Sequence, residues 1–440
     1  MWKRIWLIVF YISIILTPVV LVTLFNQPSD ISLVYRIGRG FALTAFMILM
    51  LQPVLAGRFK WIVQPFGLDI IALSHKYVDI FAACLLVSHP LLLAFGGAGL
   101  NLLIGLDQPW YIWLAKGTLM TLLISVLISL YRRRARLKFE QWRIIHNILG
   151  LAVFFMAFTH SRFAGGDLQA GPLSWLWPAM LGLALTAFIY HRFIQPRQLS
   201  RHPYRVTDVH QETENVWTVK LAPPNGGKRF EYLPGQFQFI TFHRGRNLLV
   251  EEHHWTISSS PTEKDTVSST IKAVGDFTST IGQTRPGDTA TIHAPFGRFS
   301  YVLHPEEKDF VFIAGGIGIT PLMSMLRHMR DIHATYRVLL IYNNKNEEEI
   351  IFRKELEAIE MGGYPQLKVV HILSKPGKDW SGEIGYIDRE RIEQLCGKTF
   401  ADKAFYICGP KGLLRATVKN LRNLGVAKSG VHYEIFSFPN

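Results

Sequence analysis

Two pairs of histidines set inside apolar runs constrain this chain more than any other feature. His75 and His89 lie in the run from about Leu68 to Phe95, and His146 and His160 in the run from Trp142 to about Phe163. Each pair is fourteen residues apart. At 3.6 residues per turn that is just under four turns, so both members share one helix face, about 21 Å apart along the axis. A hydrocarbon core is roughly 30 Å thick, so two such helices side by side would hold one imidazole pair near each membrane face. Ionisable groups are costly inside a membrane and tend to be functional there. Imidazole is a common axial ligand of haem iron, and ligands so far apart on one helix cannot share a single ion. The pattern predicts two stacked b-type haems, one held by His75 and His146 and the other by His89 and His160. A lone histidine in an apolar helix would read as a hydrogen-bonded interior residue. Repetition at one spacing in two helices carries the metal reading.

The 440 residues are too many for one ordinary domain. Hydrophobic residues make up 49% and charged ones still 18%, which fits a membrane part joined to a soluble part. Residues 1–195 carry 16 Lys and Arg against 6 Asp and Glu, ten of the fourteen net positive charges. That excess flanks the apolar runs, so it reports topology and not nucleic-acid binding. Cys84, Cys396 and Cys408 form no spaced set. A disulfide framework is not expected, and the soluble part suits a reducing cytosol.

Six runs are long enough to cross a bilayer: Trp6 to about Phe25, Gly38 to Ala56, Leu68 to Phe95, Trp110 to Tyr131, Trp142 to Phe163 and Leu173 to Tyr190. The first follows Lys3 and Arg4 and lacks a small-x-small cleavage site, which favours a span over a signal peptide. With the N-terminus in the cytosol, Lys3, Arg4, Arg58, Lys60, the 132–138 cluster and Arg192 all lie inside, as the positive-inside rule asks. The soluble half is then cytosolic. The third and fifth spans both run outward, so His75 is level with His146 and His89 with His160. Pro90 is expected to kink the third span.

Beyond Pro196 short alternating runs separated by Gly and Pro read as antiparallel strands, among them Val216–Leu221, Gly235–Phe242, His254–Ile257, Ser269–Val274 and Thr289–Ala294. They predict a small barrel. From Phe310 the pattern changes. Phe310-Val311-Phe312-Ile313-Ala314 is a buried parallel-type strand that leads into Gly315-Gly316-Ile317-Gly318-Ile319-Thr320-Pro321 and a helix. Further apolar runs at 337–342, 367–373 and 403–408 alternate with helical segments, the pattern of a doubly wound sheet. Glycines directly after a strand let backbone approach a pyrophosphate at a helix N-terminus. Cys408-Gly409-Pro410 follows a later strand of the same sheet.

These motifs carry a family resemblance. Residues 200–440 resemble the ferredoxin–NADP reductase superfamily, and the membrane half is similar to the ferric reductase transmembrane domain. The whole chain resembles the NADPH oxidase and ferric reductase family, near its short bacterial members. Leu233-Pro234-Gly235-Gln236-Phe237 is similar to the family's Pro-Gly-Gln-Phe strand. His253-His254-Trp255-Thr256-Ile257-Ser258-Ser259 resembles its His-Pro-Phe-Thr flavin segment, with His254 and Trp255 in place of Pro and Phe. Lys272-Ala273-Val274-Gly275-Asp276-Phe277-Thr278 resembles the second flavin segment, where an arginine is usual at the position of Lys272.

The resemblance implies a multidomain membrane protein: a six-helix transmembrane haem-binding bundle (1–195), an antiparallel β-barrel FAD domain (200–304) and a doubly wound α/β NAD(P)H domain (305–440). It implies that His253, Trp255, Thr256, Lys272, Gly275, Phe277 and Thr278 line FAD, and that Gly315, Gly316, Gly318, Thr320 and Pro321 hold the dinucleotide. Cys408, Gly409 and Pro410 would flank the nicotinamide. Phe436, in Glu434-Ile435-Phe436, would cover the isoalloxazine until nicotinamide displaces it. Thr256, Cys408 and Phe436 are thus the residues expected at the reacting atoms, with no general base or nucleophile required. Lys345, after the strand ending at Tyr342, supplies one charge for a 2′-phosphate, so NADPH is expected, with NADH the alternative.

The expected activity is transmembrane electron transfer from cytosolic NAD(P)H through FAD and two haems to an outer acceptor, in a bacterial plasma membrane. Short outer loops without a metal-binding cluster favour dioxygen, giving superoxide. A ferric chelate or a periplasmic partner protein is the alternative acceptor. A sensor that keeps haem without turnover is a reading from another class, against which the flavin and nucleotide motifs weigh. No obligatory protein partner is expected.

Overall fold

Apolar length dictates the first half of the molecule. The computed structural model describes residues 2–25, 31–132, 134–169, 171–245, 247–397 and 399–435. The chain divides into two units between Gln195 and Pro196. The first contains α1 (Trp2–Phe25), α2 (Leu33–Ala56), a short α3 (Lys60–Phe66), α4 (Leu68–Leu93), a short α5 (Asn101–Ile104), α6 (Trp110–Tyr131), α7 (Phe139–Ala164) and α8 (Pro172–Ile189), with a short α9 (Gln195–Ser200) at the boundary. Six of these helices, some with their continuations, are long and apolar enough to cross a membrane, as the hydropathy predicts.

The central helix is α2. Its most apolar window is 56% buried, against 11% in α1 and α7, and it packs on α1, α4 and α8. Ser32 starts it by accepting a hydrogen bond from the Tyr35 N–H, which satisfies one of the free donors of the first turn. Exposed side chains such as Phe10, Ile124 and Ile148 present apolar surface outward, as lipid contact requires. α4 packs along α2, and α7 along α6. Glycine sets the first of these approaches: a Cβ at Gly38 would lie 2.8 Å from Leu92 Cβ. α4 runs on through Pro90 to Leu93 and changes there to a π-helical turn, Ala94–Ala98. The irregularity expected at Pro90 thus falls one turn later.

The second unit begins with an antiparallel sheet of β1 (Tyr204–Thr213), β2 (Val216–Ala222), β3 (Phe237–His243), β4 (Glu252–Thr256), β5 (Val267–Lys272) and β6 (Thr289–Phe296). Their order is β4-β3-β6-β1-β2-β5. The two outer strands meet: Ser258 N donates to Ser268 O at 2.8 Å and Ser269 Oγ to Thr256 O at 2.9 Å. The sheet therefore curls around Val219, Leu221, Ile240, Phe242 and Ile271.

The remainder is a parallel sheet with helices between its strands: β7 (Asp309–Gly315), α10 (Ile319–Asp331), β8 (Arg337–Asn344), α11 (Arg353–Gly362), β9 (Gln366–Leu373), β10 (Glu383–Ile384), α12 (Arg389–Cys396), β11 (Lys403–Cys408), α13 (Lys411–Asn423) and β12 (Val431–Glu434). The order β10-β9-β8-β7-β11-β12 means the chain builds outward from β7 and then returns to its other side. The reversal lies between β7 and β11, where open α/β sheets leave a crevice at the carboxyl ends of their strands.

Candidate functional site: paired histidines and a glycine-lined strand crevice

In the first unit the helical period brings the four histidines into two levels. His75 and His89 are on α4, His146 and His160 on α7. The rings of His75 and His146 stand 6.3 Å apart at 82°, and His89 lies within electrostatic reach of His160. His89 Nδ1 is 2.9 Å from Gly38 O, and His160 Nδ1 is 2.9 Å from Tyr111 O. A carbonyl only accepts, so both Nδ1 atoms carry the proton and each Nε2 keeps a lone pair. His146 Nδ1 has Ser125 Oγ at 3.3 Å and Ser129 Oγ at 3.5 Å, and the Trp142 indole donates to Ser129 Oγ at 3.2 Å. His75 Nδ1 is buried without a hydrogen-bond partner among the described residues.

This donor set fits haem. Two imidazoles on one metal, with nitrogen–metal bonds of about 2 Å, hold their ring centres roughly 6 Å apart, close to the His75–His146 separation. Orientation of Nδ1 by a carbonyl is the usual support for a ligating histidine. Gly150, one turn beyond His146, has open space where a Cβ would be, with nothing within 4 Å. All four imidazoles are only part-buried although they sit within the spans.

In the second unit the two glycine motifs flank the sheet's switch point. β7 ends at Gly315, Gly316 has φ +53°, and α10 starts at Ile319. A Cβ at Gly318 would lie 2.3 Å from Cys408 O, and one at Gly315 2.9 Å from Pro410 Cδ. Gly315 and Gly318 thus pack closely against Cys408, Gly409 and Pro410, while Gly316 faces open space. Thr320 Oγ1 donates to Ile317 O at 3.0 Å, and the Tyr342 hydroxyl to Gly316 O at 3.1 Å. Pro321, in the first turn of α10, is buried. Backbone can approach a pyrophosphate here, with the helix N-terminus favouring its charge. Cys408 is fully buried, and burial, with Glu434 nearby, holds its thiol well above the usual range. It therefore stays neutral, a packing group and not a nucleophile. β12 pairs Glu434 with Cys408, and Glu434 Oε1 is 3.5 Å from the position a Cβ on Gly297 would take. The end of the parallel sheet thus meets the barrel.

The two segments that resemble flavin-binding ones form one wall of the barrel. The rings of His253 and Phe277 lie 4.5 Å apart, those of His253 and Trp255 5.4 Å, and those of Trp255 and Phe277 5.9 Å. Phe277 is fully buried in the barrel core. Thr278 Oγ1 accepts from the N–H groups of Val274 and Gly275 at 3.0 and 2.8 Å, shaping the turn at Gly275. Thr256 Oγ1 and Gln238 Oε1 are buried and lack hydrogen-bond partners among the described residues, so polar groups of a ligand have somewhere to bind. Lys272 pairs with Glu349 at 3.4 Å, which ties the second flavin segment to the loop after β8. Lys345 lies in that loop, where its carbonyl accepts from Lys375 N at 2.7 Å. Phe436 lies outside the described residues.

One buried residue here belongs to no sequence motif. Arg244 is buried, sits 4.6 Å over the Phe277 ring and donates to Thr280 O at 3.0 Å. Its Nε has no partner among the described residues. A buried arginine is costly unless paired, yet in sequence it is one cation in a basic chain.

Comparison with known proteins matches three parts of the chain. Residues 40–157 match the family described as ferric reductase like transmembrane component. Residues 204–288 match an FAD-binding domain, and residues 312–419 an oxidoreductase NAD-binding domain. The chain is 28% identical to a flavohemoprotein of Bacillus subtilis over 285 residues, 62% of this chain and 70% of that one. It is 29% identical to the glycine betaine monooxygenase reductase subunit of Chromohalobacter salexigens over 243 residues, 54% of this chain and 64% of that one. Among solved structures, the FAD/NAD-binding domain of a Vibrio cholerae nitric oxide dioxygenase aligns with 53% of this chain and 97% of its own, at 24% identity and a TM-score of 0.48.

Proposed function

The chain has the NADPH oxidase and ferric reductase architecture, a ferric reductase-like transmembrane component ahead of FAD- and NAD-binding oxidoreductase domains, and from that premise we propose that it moves electrons from cytosolic NAD(P)H across a bacterial plasma membrane to dioxygen, giving superoxide. The observation that carries this reading is the pair of histidine levels on α4 and α7, with His75 6.3 Å from His146 and with the Nδ1 atoms of His89 and His160 held by backbone carbonyls. When bound, FAD supplies conversion of a two-electron donor into single electrons, and two haems supply one-electron relay through the bilayer.

The protein's part is binding, orientation and exclusion of water. His75 with His146, and His89 with His160, would hold the two irons through Nε2, while Gly38 O and Tyr111 O fix two of the rings. Gly315, Gly316 and Gly318 would present backbone to the dinucleotide pyrophosphate, with Thr320 and Pro321 starting the helix behind it. Gly409 and Pro410 would bound the nicotinamide, the neutral Cys408 thiol giving it an apolar wall. Thr256 Oγ1 is free to hydrogen-bond a flavin stacked near Trp255, and His253, Lys272, Gly275, Phe277 and Thr278 would shape the rest of that wall. Phe436 would cover the flavin face. Lys345 would attract a 2′-phosphate and so favour NADPH. The basic flanks of the spans support a cytosolic N-terminus and a cytosolic second unit.

The test is NADPH-driven reduction of external cytochrome c by purified protein in proteoliposomes, loaded with haem and FAD. Abolition by superoxide dismutase supports the oxidase. Persistence under dismutase makes the acceptor a ferric chelate or a protein. Absence of any NAD(P)H oxidation contradicts the electron-transfer reading.

A further inference from the structure

Outside the nucleotide crevice, a second group of ligating side chains is built around the connection between barrel and parallel sheet. His304 ends the 3₁₀ turn after Tyr301, Glu307 follows one turn later, and His432 comes from the edge strand β12. One ligand atom from each lies within 4.8 Å of the others. The two imidazole rings are 4.1 Å apart, and His432 Nε2 is 2.7 Å from Glu307 Oε1. The other carboxylate oxygen, Glu307 Oε2, accepts a 2.7 Å hydrogen bond from the hydroxyl of the fully buried Tyr406. The Glu307 and His432 side chains are only 13% and 15% exposed. Arg298 opposes a cation electrostatically, while Glu306 and Glu307 favour one.

We propose that His304, Glu307 and His432 form a zinc-class divalent metal site that pins β12 to the inter-lobe connection. Two imidazoles and a carboxylate are a recognised zinc ligand set. Tetrahedral zinc with bonds of ~2.0–2.1 Å keeps its ligand atoms about 3.4 Å apart, so these side chains need only small shifts. Tyr406 supplies the orienting hydrogen bond that ligating carboxylates use. No motif marks the site in sequence, because its third ligand lies more than a hundred residues from the other two.

The test is equilibrium dialysis of the full-length, haem-loaded protein against zinc chloride, with zinc per chain measured by elemental analysis. Wild type should bind one zinc more than His304→Ala or Glu307→Gln, and the variants should lose more than about tenfold in affinity for that equivalent. Zinc should raise the thermal midpoint of wild type and leave that of Glu307→Gln unmoved. Glu307→Gln keeps an oxygen for Tyr406, which guards against a loss caused by misfolding. Equal zinc content and affinity in wild type and both variants overturns the site.

A separate observation concerns the inner histidine level and rests on the haem reading above. α2 and α4 are antiparallel, with Gly96 beside Tyr35 and Leu92 beside Gly38, and Gly38 O holds His89 Nδ1. Fourteen residues on from Gly38 is Gln52, and fourteen back from His89 is His75. The helical period therefore sets Gln52 across from His75 as Gly38 is set across from His89. Gln52 is 5% exposed. Both its amide atoms and His75 Nδ1 are buried without partners among the described residues. We infer that Gln52 is a positioning residue whose Oε1 accepts from His75 Nδ1 in the haem-loaded protein, tuning the inner iron.

Low-spin EPR and a spectroscopic redox titration of wild type and Gln52→Leu test this. One of two haem signals should shift in Gln52→Leu, Gln52→Glu should shift it the opposite way, and the other signal should stay fixed. Two unchanged signals in Gln52→Leu overturn the inference. Wild-type protein without haem overturns the functional reading together with it.

Discussion

The two units of this chain carry their chemistry in different parts of the residue. In the membrane unit the proposed chemistry rests on side chains: His75, His89, His146 and His160 project from helices that apolar length alone would form. In the second unit the proposed chemistry rests on backbone, since Gly315, Gly318 and Gly409 pack too closely to admit a Cβ and Gly316 has a φ of +53°. The difference teaches which substitutions each unit tolerates. Removing a membrane histidine should take away a proposed ligand and leave the span intact, whereas adding one carbon to Gly315, Gly318 or Gly409 strains the fold itself.

Four outcomes break or sharpen that contrast. The largest is expected from His89→Ala or His160→Ala. Either should abolish NADPH-driven reduction of an external acceptor while leaving reduction of ferricyanide by the second unit within about twofold of wild type, because distant sites act independently. Equal loss of both activities would break the comparison. Next, Gly318→Ala should destabilise the second unit by about 1–3 kcal/mol, the usual cost of overpacking, since the new Cβ meets Cys408 O.

A smaller effect is expected at the lobe contact. Arg327 on α10 donates to Ser258 O at 2.6 Å and pairs with Glu355 at 2.6 Å. Burial alone would raise the Glu355 carboxyl, but hydrogen bonds and charge from Arg327, with Arg330, hold it below its usual value. A depressed carboxylate contributes stability that is present above its unfolded pKa and lost as pH falls through the folded one. Wild type should therefore exceed Glu355→Gln by about 1–2 kcal/mol at neutral pH, allowing for partial exposure. The gap should close below the ordinary glutamate range, and a gap independent of pH would remove the ionic explanation. The smallest effect belongs to Lys345→Ala, which should shift the NADPH to NADH preference by about 1 kcal/mol, several-fold in the ratio of kcat/KM. An unmoved ratio removes Lys345 from the choice.

What could be read in the sequence follows the same division. The histidine levels were legible because helix geometry is fixed, so a spacing of fourteen residues converts directly into depth and face. The strand–glycine–helix run at 310–321 was legible because a parallel strand must be apolar and its turn must be small. β1 was not, since only Val206 of its ten residues is buried and its polar pattern offers no alternation. The contacts of Arg244 and Arg327, and the meeting of Glu307 with His432, depend on tertiary packing between distant segments. No local period encodes them.

Haem content measured on the purified protein and its histidine variants tests the central claim most directly. Wild type should carry two b-type haems per chain, with one retained in His89→Ala, one retained in His75→Ala and none when all four histidines are replaced. Fewer than two in a haem-competent wild-type preparation, or two retained after the fourfold replacement, would contradict it.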